Sequence, residues 1–164
     1  MKKLVIAGLR HGHIYSLYDR AMKDAGCQIA AVCEEDAAAR SAARPDITVN
    51  YDSITRMLAE VPCDAVAIGD YYGKRGAIAI EALKAGKHVI SDKPLCTSLD
   101  ELARIEAIAK EKGLKVGCML DVRTAPPHCS RPQSNFERYD RGYCPHPVRR
   151  TASPAARQPS RLVF

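Results

Sequence analysis

The residues with the clearest chemical potential are Asp92 and Lys93, which directly follow the β-branched run Val89-Ile90. A run of this length suits a buried parallel strand and is too short for a helix. Pro94 cannot donate to a strand ladder, so it ends the strand and holds Lys93 at the carboxyl edge. Ligands of open α/β sheets bind at that edge. The sequence therefore predicts a lysine within reach of a substrate hydroxyl or a nicotinamide ring, and a solvated turn lysine is the alternative.

A second set of candidates lies in a predicted strand–helix–strand unit near the start of the chain. We predict strands at Lys3–Ala7 and Gln28–Cys33, an amphipathic helix between them at Ile14–Ala25, and Glu34 directly after the second strand. An acidic residue about 20 residues after the first turn is typical of dinucleotide-binding units. There the helix N-terminus faces the pyrophosphate and the carboxylate accepts hydrogen bonds from the adenosine ribose. Because a carboxylate repels a 2′-phosphate, Glu34 favours NAD over NADP.

The turn of this unit departs from the usual glycine pattern. Gly8 and Gly12 are present, but Arg10 and His13 stand at the second and third glycine positions. A side chain at the second position lies where the backbone normally approaches phosphate. Charge on Arg10, His11 or His13 compensates in one interpretation, and in the other the loop is degraded or differently shaped. We predict cofactor contacts from Gly8, Arg10, His11, Gly12 and His13.

The pair His11 and His13 also has a spacing that suits two metal ligands. No acidic or cysteine partner is evident beside the pair in the sequence, so the prediction is that no metal binds. The seven cysteines are odd in number and include no C-x-x-C pair. Buried thiols in a reducing cytosol explain them better than disulfides or zinc, which predicts a cytoplasmic protein.

The remaining elements must position these residues, and they follow from alternating apolar runs and helical patterns. Further strands are predicted at Ile47–Val49, Asp64–Gly69 and Lys115–Leu120, and further helices at Ala37–Ala43, Asp52–Glu60, Ala77–Ala85 and Leu99–Lys112. The last helix carries one apolar stripe, formed by Leu99, Leu102, Ile105, Ile108 and Ala109. Short strands alternating with helices predict an α/β fold, a Rossmann-like doubly wound parallel sheet.

The chain resembles the Gfo/Idh/MocA family of NAD(P)-dependent oxidoreductases in the segment A-G-K-H-V-I-S-D-K-P-L at residues 85–95 and in the helix that opens near Thr97–Leu102. The resemblance covers roughly the first 125 residues. It implies an NAD(P)-binding Rossmann domain over residues 1–122 and hydride transfer between a sugar or cyclitol carbon and nicotinamide C4. It also implies that Lys93 orients the substrate hydroxyl and helps its deprotonation, that Asp92 tunes Lys93, and that Lys93 and Pro94 contact the cofactor.

One stretch departs from the family. The family usually has a Pro-Asn turn after the strand at Asp64–Gly69, with a histidine a few residues on, whereas this chain has Asp70-Tyr71-Tyr72 and places Arg75 where the histidine stands. This departure leaves the contacts on the nicotinamide side open. We predict cofactor contacts from Asp70 and Tyr71, and packing at the edge of the core is the alternative for the tyrosines.

The sequence changes character near residue 123. Of the net charge of +6, residues 1–127 contribute +1 and residues 128–164 contribute +5, and the second stretch has one leucine, no isoleucine and no lysine. We predict that residues 123–164 form an irregular, disordered tail rich in arginine and proline, produced by a reading-frame shift. The family's second α+β domain, with its catalytic histidine and homo-oligomer surface, is then missing. A genuine basic tail that binds nucleic acid or another anion is the alternative.

These observations predict the nucleotide-binding domain of an oxidoreductase that uses NAD and acts on a small-molecule hydroxyl substrate, inactive as this chain alone. NADP stays possible because Arg40 and Arg44 lie near Glu34 in sequence. A non-catalytic dinucleotide-binding or regulatory module with a partner-binding tail is the alternative. An S-adenosylmethionine-binding fold would explain the acidic residue but not Lys93. No specific nucleic-acid site is expected. No membrane association is expected either, because no apolar run approaches membrane-spanning length.

Overall fold

The structure, a computed structural model, describes residues 1–120. The strands are β1 (Lys2–Ala7), β2 (Cys27–Cys33), β3 (Ala65–Ile68), β4 (His88–Ser91) and β5 (Val116–Cys118). The helices are α1 (His13–Lys23), α2 (Ala37–Ser41), α3 (Ile54–Glu60), α4 (Tyr72–Lys84) and α5 (Leu99–Glu111). The predicted tail, residues 123–164, lies outside the described residues, and its disorder stays a prediction.

The five strands form one parallel sheet in the order β2-β1-β3-β4-β5. This confirms the predicted Rossmann-like sheet. The direction in which the chain adds strands reverses at β1, because β2 lies on one side of it and β3 on the other. In such sheets the crevice for ligands opens at the carboxyl ends of the strands where the order reverses. The loop after β1 and the segment after β3 therefore border the expected site.

Both faces of the sheet are covered, as a doubly wound fold requires. Leu4 and Ile6 of β1 belong to one apolar cluster with Ile14 and Ala21 of α1. The alternate β1 residues, Val5 and Ala7, belong to a second cluster on the other face. Their helix partners in that cluster include Met57, Ile78, Leu83 and Ile105. The alternation follows from the two-residue period of a strand, which sends neighbouring side chains to opposite faces.

The predicted strand at Ile47–Val49 is wrong in the described residues. Residues 47–49 belong to no strand of the described sheet. Just after them, Tyr51 forms one parallel bridge with Cys33, and the N–H groups of Asn50 and Tyr51 donate to the Val32 carbonyl. The cause is local, because the Asn50 side chain accepts the hydrogen bond from the Val32 N–H at 3.2 Å and so takes the place of a backbone carbonyl. The bridge still lies beyond β2, where a classic Rossmann sheet has its outer strand.

Helix α4 begins at Tyr72, five residues before the predicted start. Two glycines, Gly73 and Gly76, lie inside the helix. A Cβ at Gly76 would lie 2.9 Å from the Cys96 Cβ and closer still to the Glu101 carboxylate. Gly76 is therefore a helical residue whose lack of a side chain lets α4 approach α5 and the segment before it.

The apolar stripe predicted for α5 is only half buried. Ile105 is buried, and Ile108 and Ala109 pack against the core, whereas Leu99 is 83% exposed and Leu102 is 43% exposed. The helical spacing was correct, but the first turn of α5 has no apolar surface to meet within the described residues. Among residues 1–120, no helix is long and apolar enough to cross a membrane.

Gly8 gives a test of how closely the first loop packs. Its φ is +85°, and a Cβ there would lie 2.6 Å from the Asp70 Cα. We expect Gly8→Ala to lower the free energy of unfolding by about 2–5 kcal/mol, since left-handed strain and overpacking add. Gly12→Ala is the matched control, because a Cβ at Gly12 meets nothing within 4 Å. Urea unfolding of the full chain measures both, and equal effects would contradict the packing assignment.

Candidate functional site

The site is organised by the loop after β1 and by the segments that follow β3 and β4. Gly8 closes the β1 end, where its N–H donates to the Cys33 carbonyl at 2.8 Å. Asp70 and Asp92 stand just beyond β3 and β4, and both are buried. The structure thus brings the predicted loop residues together with Asp70, Asp92 and Lys93 at the carboxyl edge of the sheet.

The buried Glu34 carboxylate fixes the first loop through backbone hydrogen bonds. It is fully buried, its Oε2 accepts from the Leu9 N–H at 2.6 Å, and its Oε1 accepts from the Asp36 N–H at 2.9 Å. The carboxylate therefore fixes the backbone of the loop residue that follows Gly8. The predicted contact between Glu34 and the adenosine ribose stays a prediction, and it requires the side chain to become exposed.

Arg10, at the second glycine position, bridges two carboxylates on the rim of the site. Its guanidinium lies 4.0 Å from Asp36 and 4.0 Å from Asp70, and 5.8 Å from the centre of the Tyr71 ring. The Asp70 Oδ1 also accepts from the Tyr71 N–H at 2.5 Å. Three predicted contact residues, Arg10, Asp70 and Tyr71, are therefore neighbours, with Arg10 and Tyr71 on the surface.

Arg75 is the site residue whose role the sequence did not indicate. It is only 1% exposed, and its Nε donates to the Asp70 carbonyl at 2.7 Å. Its Nη1 donates to the Lys93 carbonyl at 2.6 Å and lies 3.3 Å from the Pro94 carbonyl, and its Nη2 lies 3.6 Å from Asp92 Oδ2. One guanidinium therefore ties the end of β3 to the end of β4.

Asp92 is the buried anion that faces Arg75. Its Oδ1 accepts from the Lys93 N–H at 2.7 Å and lies 3.1 Å from His13 Nδ1, while Oδ2 is paired with His11. Burial raises the pKa of Asp92, but the Lys93 N–H, the His13 contact and the charge of Arg75 outweigh it and hold that pKa below its usual value. Asp92 is therefore an ionised carboxylate at neutral pH.

Lys93 meets the glycine-loop region through His13. The Lys93 Nζ lies 3.0 Å from His13 Nδ1, the same atom that lies 3.1 Å from Asp92 Oδ1. A ring nitrogen that carries hydrogen donates to the carboxylate, and one that lacks it accepts from the ammonium. The position of one proton on His13 therefore decides whether Asp92 or Lys93 is its partner.

His11, His13 and Asp92 form a cluster that the sequence reasoning missed. One ligand atom from each lies within 4.8 Å of the others. The acidic partner that the sequence does not show beside the two histidines is Asp92, and the absence of a bound metal stays a prediction. The sequence held no local signal of this partner, because Asp92 lies 79 residues beyond His13 and reaches it only through the parallel sheet.

The N-terminus of α1 has the properties of an anion site. Gly12 precedes the helix with no side-chain hydrogen bond to its backbone, and the first turn contains no acidic residue. The first N–H groups of a helix have no partners within it and carry a partial positive charge. Because nothing lies within 4 Å of a Cβ placed on Gly12, there is room for a phosphate group to approach.

Comparison with known proteins decides the family. Residues 2–119 match the Gfo/Idh/MocA family, described as an oxidoreductase family with an NAD-binding Rossmann fold. The chain belongs to this family. The family match and the parallel sheet confirm the NAD-binding Rossmann fold that the sequence predicted.

Several members of the family are similar over the same region. The chain is 32% identical over 100 residues to inositol 2-dehydrogenase/D-chiro-inositol 3-dehydrogenase of Lacticaseibacillus casei, covering 57% of this chain and 29% of that protein. An NAD-binding protein from Listeria innocua is 29% identical with a TM-score of 0.65, covering 74% of this chain and 36% of that one.

The fold alone is shared with the WlbA dehydrogenase of Bordetella pertussis, solved in complex with NADH and UDP-GlcNAcA. That chain is 24% identical with a TM-score of 0.66, and the match covers 77% of this chain and 39% of that one. The chain therefore spans less than two fifths of the length of each of these three relatives.

Arg75 yields a stability prediction. We expect Arg75→Met to lower the free energy of unfolding by about 3–5 kcal/mol, because it leaves the buried Asp92 charge without its cation. Lys74→Met is the matched control, since Lys74 is half exposed and 3.8 Å from Glu35, and it should cost less than about 1 kcal/mol. Urea unfolding of both variants distinguishes them, and a small effect of Arg75→Met would show that Asp92 does not depend on it.

Proposed function

We propose that this chain binds NAD and forms the cofactor half of an oxidoreductase that oxidises a hydroxyl group of a cyclitol or sugar. The supporting observation is the meeting of three features at one sheet edge: the uncapped N-terminus of α1, the open position at Gly12, and Lys93 at the end of β4. The substrate class rests on the names of the relatives, which include an inositol dehydrogenase.

The residues present fit a dinucleotide. Gly8 is compatible with the tight approach of the loop to Asp70, and Glu34 fixes the loop through the Leu9 N–H. Arg10 is about a third exposed beside the loop, so its charge is available to a phosphate. The two missing glycines of the usual pattern are thus offset by a cation and by a helix N-terminus without an acidic residue in its first turn.

The charges after β2 support NAD rather than NADP. A 2′-phosphate needs a cation near Glu34, and the two sequence candidates were Arg40 and Arg44. The Arg40 Nη1 donates to the Glu34 carbonyl at 2.7 Å, and Arg44 forms ion pairs with Asp19 and Asp46. Both arginines are therefore engaged by the protein itself, while Glu35 and Asp36 add negative charge to the same end of the strand.

The chemistry assigned to this chain concerns the substrate proton. NAD supplies the hydride acceptor when it is bound. Lys93 is only partly buried and stands at the edge where ligands of such sheets bind, so its ammonium group can orient a hydroxyl and, once it has passed a proton to His13, accept the hydroxyl proton. His13 Nδ1, 3.0 Å from the Lys93 Nζ, is placed to exchange that proton with Lys93. Asp92 positions both through the Lys93 N–H and His13.

The chain by itself is proposed to bind NAD without turnover. The support is that residues 2–119 match the family's NAD-binding Rossmann fold, and that the inositol dehydrogenase is matched over 29% of its length. Addition of NAD⁺ and inositol should therefore produce no NADH absorbance with this chain.

Gly12 tests the cofactor site. We expect Gly12→Asp to weaken NAD⁺ binding at least about tenfold, because a carboxylate roughly 5 Å from a phosphate costs about 3 kcal/mol at an effective dielectric constant of 20. The helix itself should be as stable or more stable, since aspartate is a good N-cap. Gly12→Asn is the neutral control of equal size. Calorimetric titration measures all three proteins, and equal losses in the Asp and Asn variants would contradict an anion site.

The same titration compares the two cofactors. The wild-type chain should bind NAD⁺ at least about tenfold more tightly than NADP⁺, a difference of about 1.4 kcal/mol. AMP and 2′-phospho-AMP serve as controls that isolate the adenosine end. Equal or tighter binding of the 2′-phosphorylated ligands would remove the assignment to NAD.

Lys93 tests the catalytic part of the proposal. Lys93→Ala should change the free energy of unfolding by no more than about 0.5–1 kcal/mol, because the side chain is partly exposed. In a version of the chain joined to a substrate domain of the family, the same change should reduce turnover by about 100-fold or more, the effect of a lost general base. Turnover close to that of the unchanged version would exclude Lys93 from the mechanism.

A further inference from the structure

We propose that His11, His13 and Asp92 form a binding site for a divalent transition-metal ion of the zinc class. The site shares His13 and Asp92 with the proposed cofactor edge, but metal binding is tested without NAD and does not require that NAD binds. The observation behind it is the convergence of two imidazoles from the first loop on a buried carboxylate that follows β4.

The donor atoms have the right chemistry and nearly the right spacing. One atom from each residue lies within 4.8 Å of the others. Around a tetrahedral zinc ion, with bonds of about 2.0–2.2 Å, ligand atoms lie roughly 3.5 Å apart, so small side-chain rotations would bring the three donor atoms to that separation. Two histidines and one carboxylate, with a fourth position open to water, is a common ligand set for such ions.

Asp92 offers the ion a buried oxygen, Oδ2, whose close partner is the partly exposed His11 imidazole. Among residues 1–120, Asp92 Oδ2 is the buried side-chain atom that makes no hydrogen bond, although it is fully buried and has charged neighbours. Oδ1 is fixed by the Lys93 N–H, and Arg75 lies 3.6 Å from Oδ2 on the protein side. These contacts orient the carboxylate, as hydrogen-bond partners of metal-ligating side chains commonly do.

The two histidines leave the site open to solvent. Their side chains are 44% and 37% exposed, and His13 is the first residue of α1. An ion can therefore enter without unfolding the domain. Because nitrogen ligands outnumber oxygen ligands, the site should take Zn²⁺ or Co²⁺ and reject Mg²⁺ and Ca²⁺, which prefer oxygen.

The positive charge of Lys93 should weaken metal binding, and this expectation can be tested by mutation. Its Nζ lies 3.0 Å from His13 Nδ1, where an ammonium group repels a dication and occupies the ring nitrogen. Metal binding should displace Lys93 from His13. Removal of the lysine charge, in Lys93→Met, should therefore tighten metal binding, whereas most substitutions near a metal site weaken it.

The experiment titrates the full chain, without NAD, with Zn²⁺ by calorimetry and with Co²⁺ by visible absorption. We expect one ion per chain at this site, with the Co²⁺ spectrum of nitrogen and oxygen ligands and no thiolate band. His11→Gln and His13→Gln should each lower the affinity at least about 100-fold, since the loss of an outer partner alone costs roughly 10–100-fold. Both side chains are partly exposed, at 44% and 37%, so the variants should still fold, and urea unfolding of each variant checks this.

Matched controls address the other metal-binding residues of the chain. His88 lies outside the cluster and its Nδ1 accepts from the Lys115 N–H, so His88→Gln should leave the affinity unchanged. Residues 121–164 also contain His128, Cys129, Cys144 and His146. A variant with glutamine and serine at these four positions should keep the one-ion stoichiometry.

Three results would overturn the site: unchanged affinity in both His11→Gln and His13→Gln, loss of the ion in the variant of residues 121–164, or weaker binding in Lys93→Met. Failure of NAD to bind would leave this result untouched, because the titration contains no cofactor.

Discussion

The buried guanidinium of Arg75 is the interaction on which the rest of the site depends. A cation with 1% exposure is costly unless its donors are satisfied, and Arg75 meets this condition with the carbonyls of Asp70 and Lys93 and with the Asp92 carboxylate. A lysine could not do the same, because it lacks the planar fork that reaches several acceptors at once. The ends of β3 and β4 are held together by this one group, and Lys93 is positioned as a result.

The loop after β1 is tied to the same region by contacts of a different kind. Gly8 lies so close to Asp70 that a side chain would overlap it, and Glu34 holds the next residue of the loop by its N–H. The buried Glu34 carboxylate is tolerated here because the N–H groups of Leu9 and Asp36 are its partners in fixed positions. A rigid frame therefore surrounds exposed side chains, which are His11, His13, Arg10 and Lys93.

Sequence reasoning could predict the frame better than the site. Apolar runs and capping residues were enough for the five parallel strands and five helices, because their periods are local properties of the chain. Lys93 was found because a proline follows it at a strand end. Arg75 was not, since arginine in a helix is normally exposed, and only the meeting of two strand ends makes a buried one stable. Leu99 and Leu102 show the reverse case, in which the correct helical spacing did not bring burial.

The cluster of His11, His13 and Asp92 shows why such sites escape local patterns. Asp92 carries one negative charge among four nitrogen-bearing side chains: Arg75, His11, His13 and, through His13, Lys93. Burial raises the pKa of Asp92, but the Lys93 backbone N–H, the His13 contact and the charges of Arg75 and His11 outweigh it and lower that pKa. These residues come from three separate segments, at residues 11–13, at Arg75 and at residues 92–93, and the parallel pairing of β1, β3 and β4 brings the segments together. A proton or ion that binds His13 Nδ1 affects the first loop, Asp92 and Lys93 at once, because this one atom lies beside both the Asp92 carboxylate and the Lys93 amine.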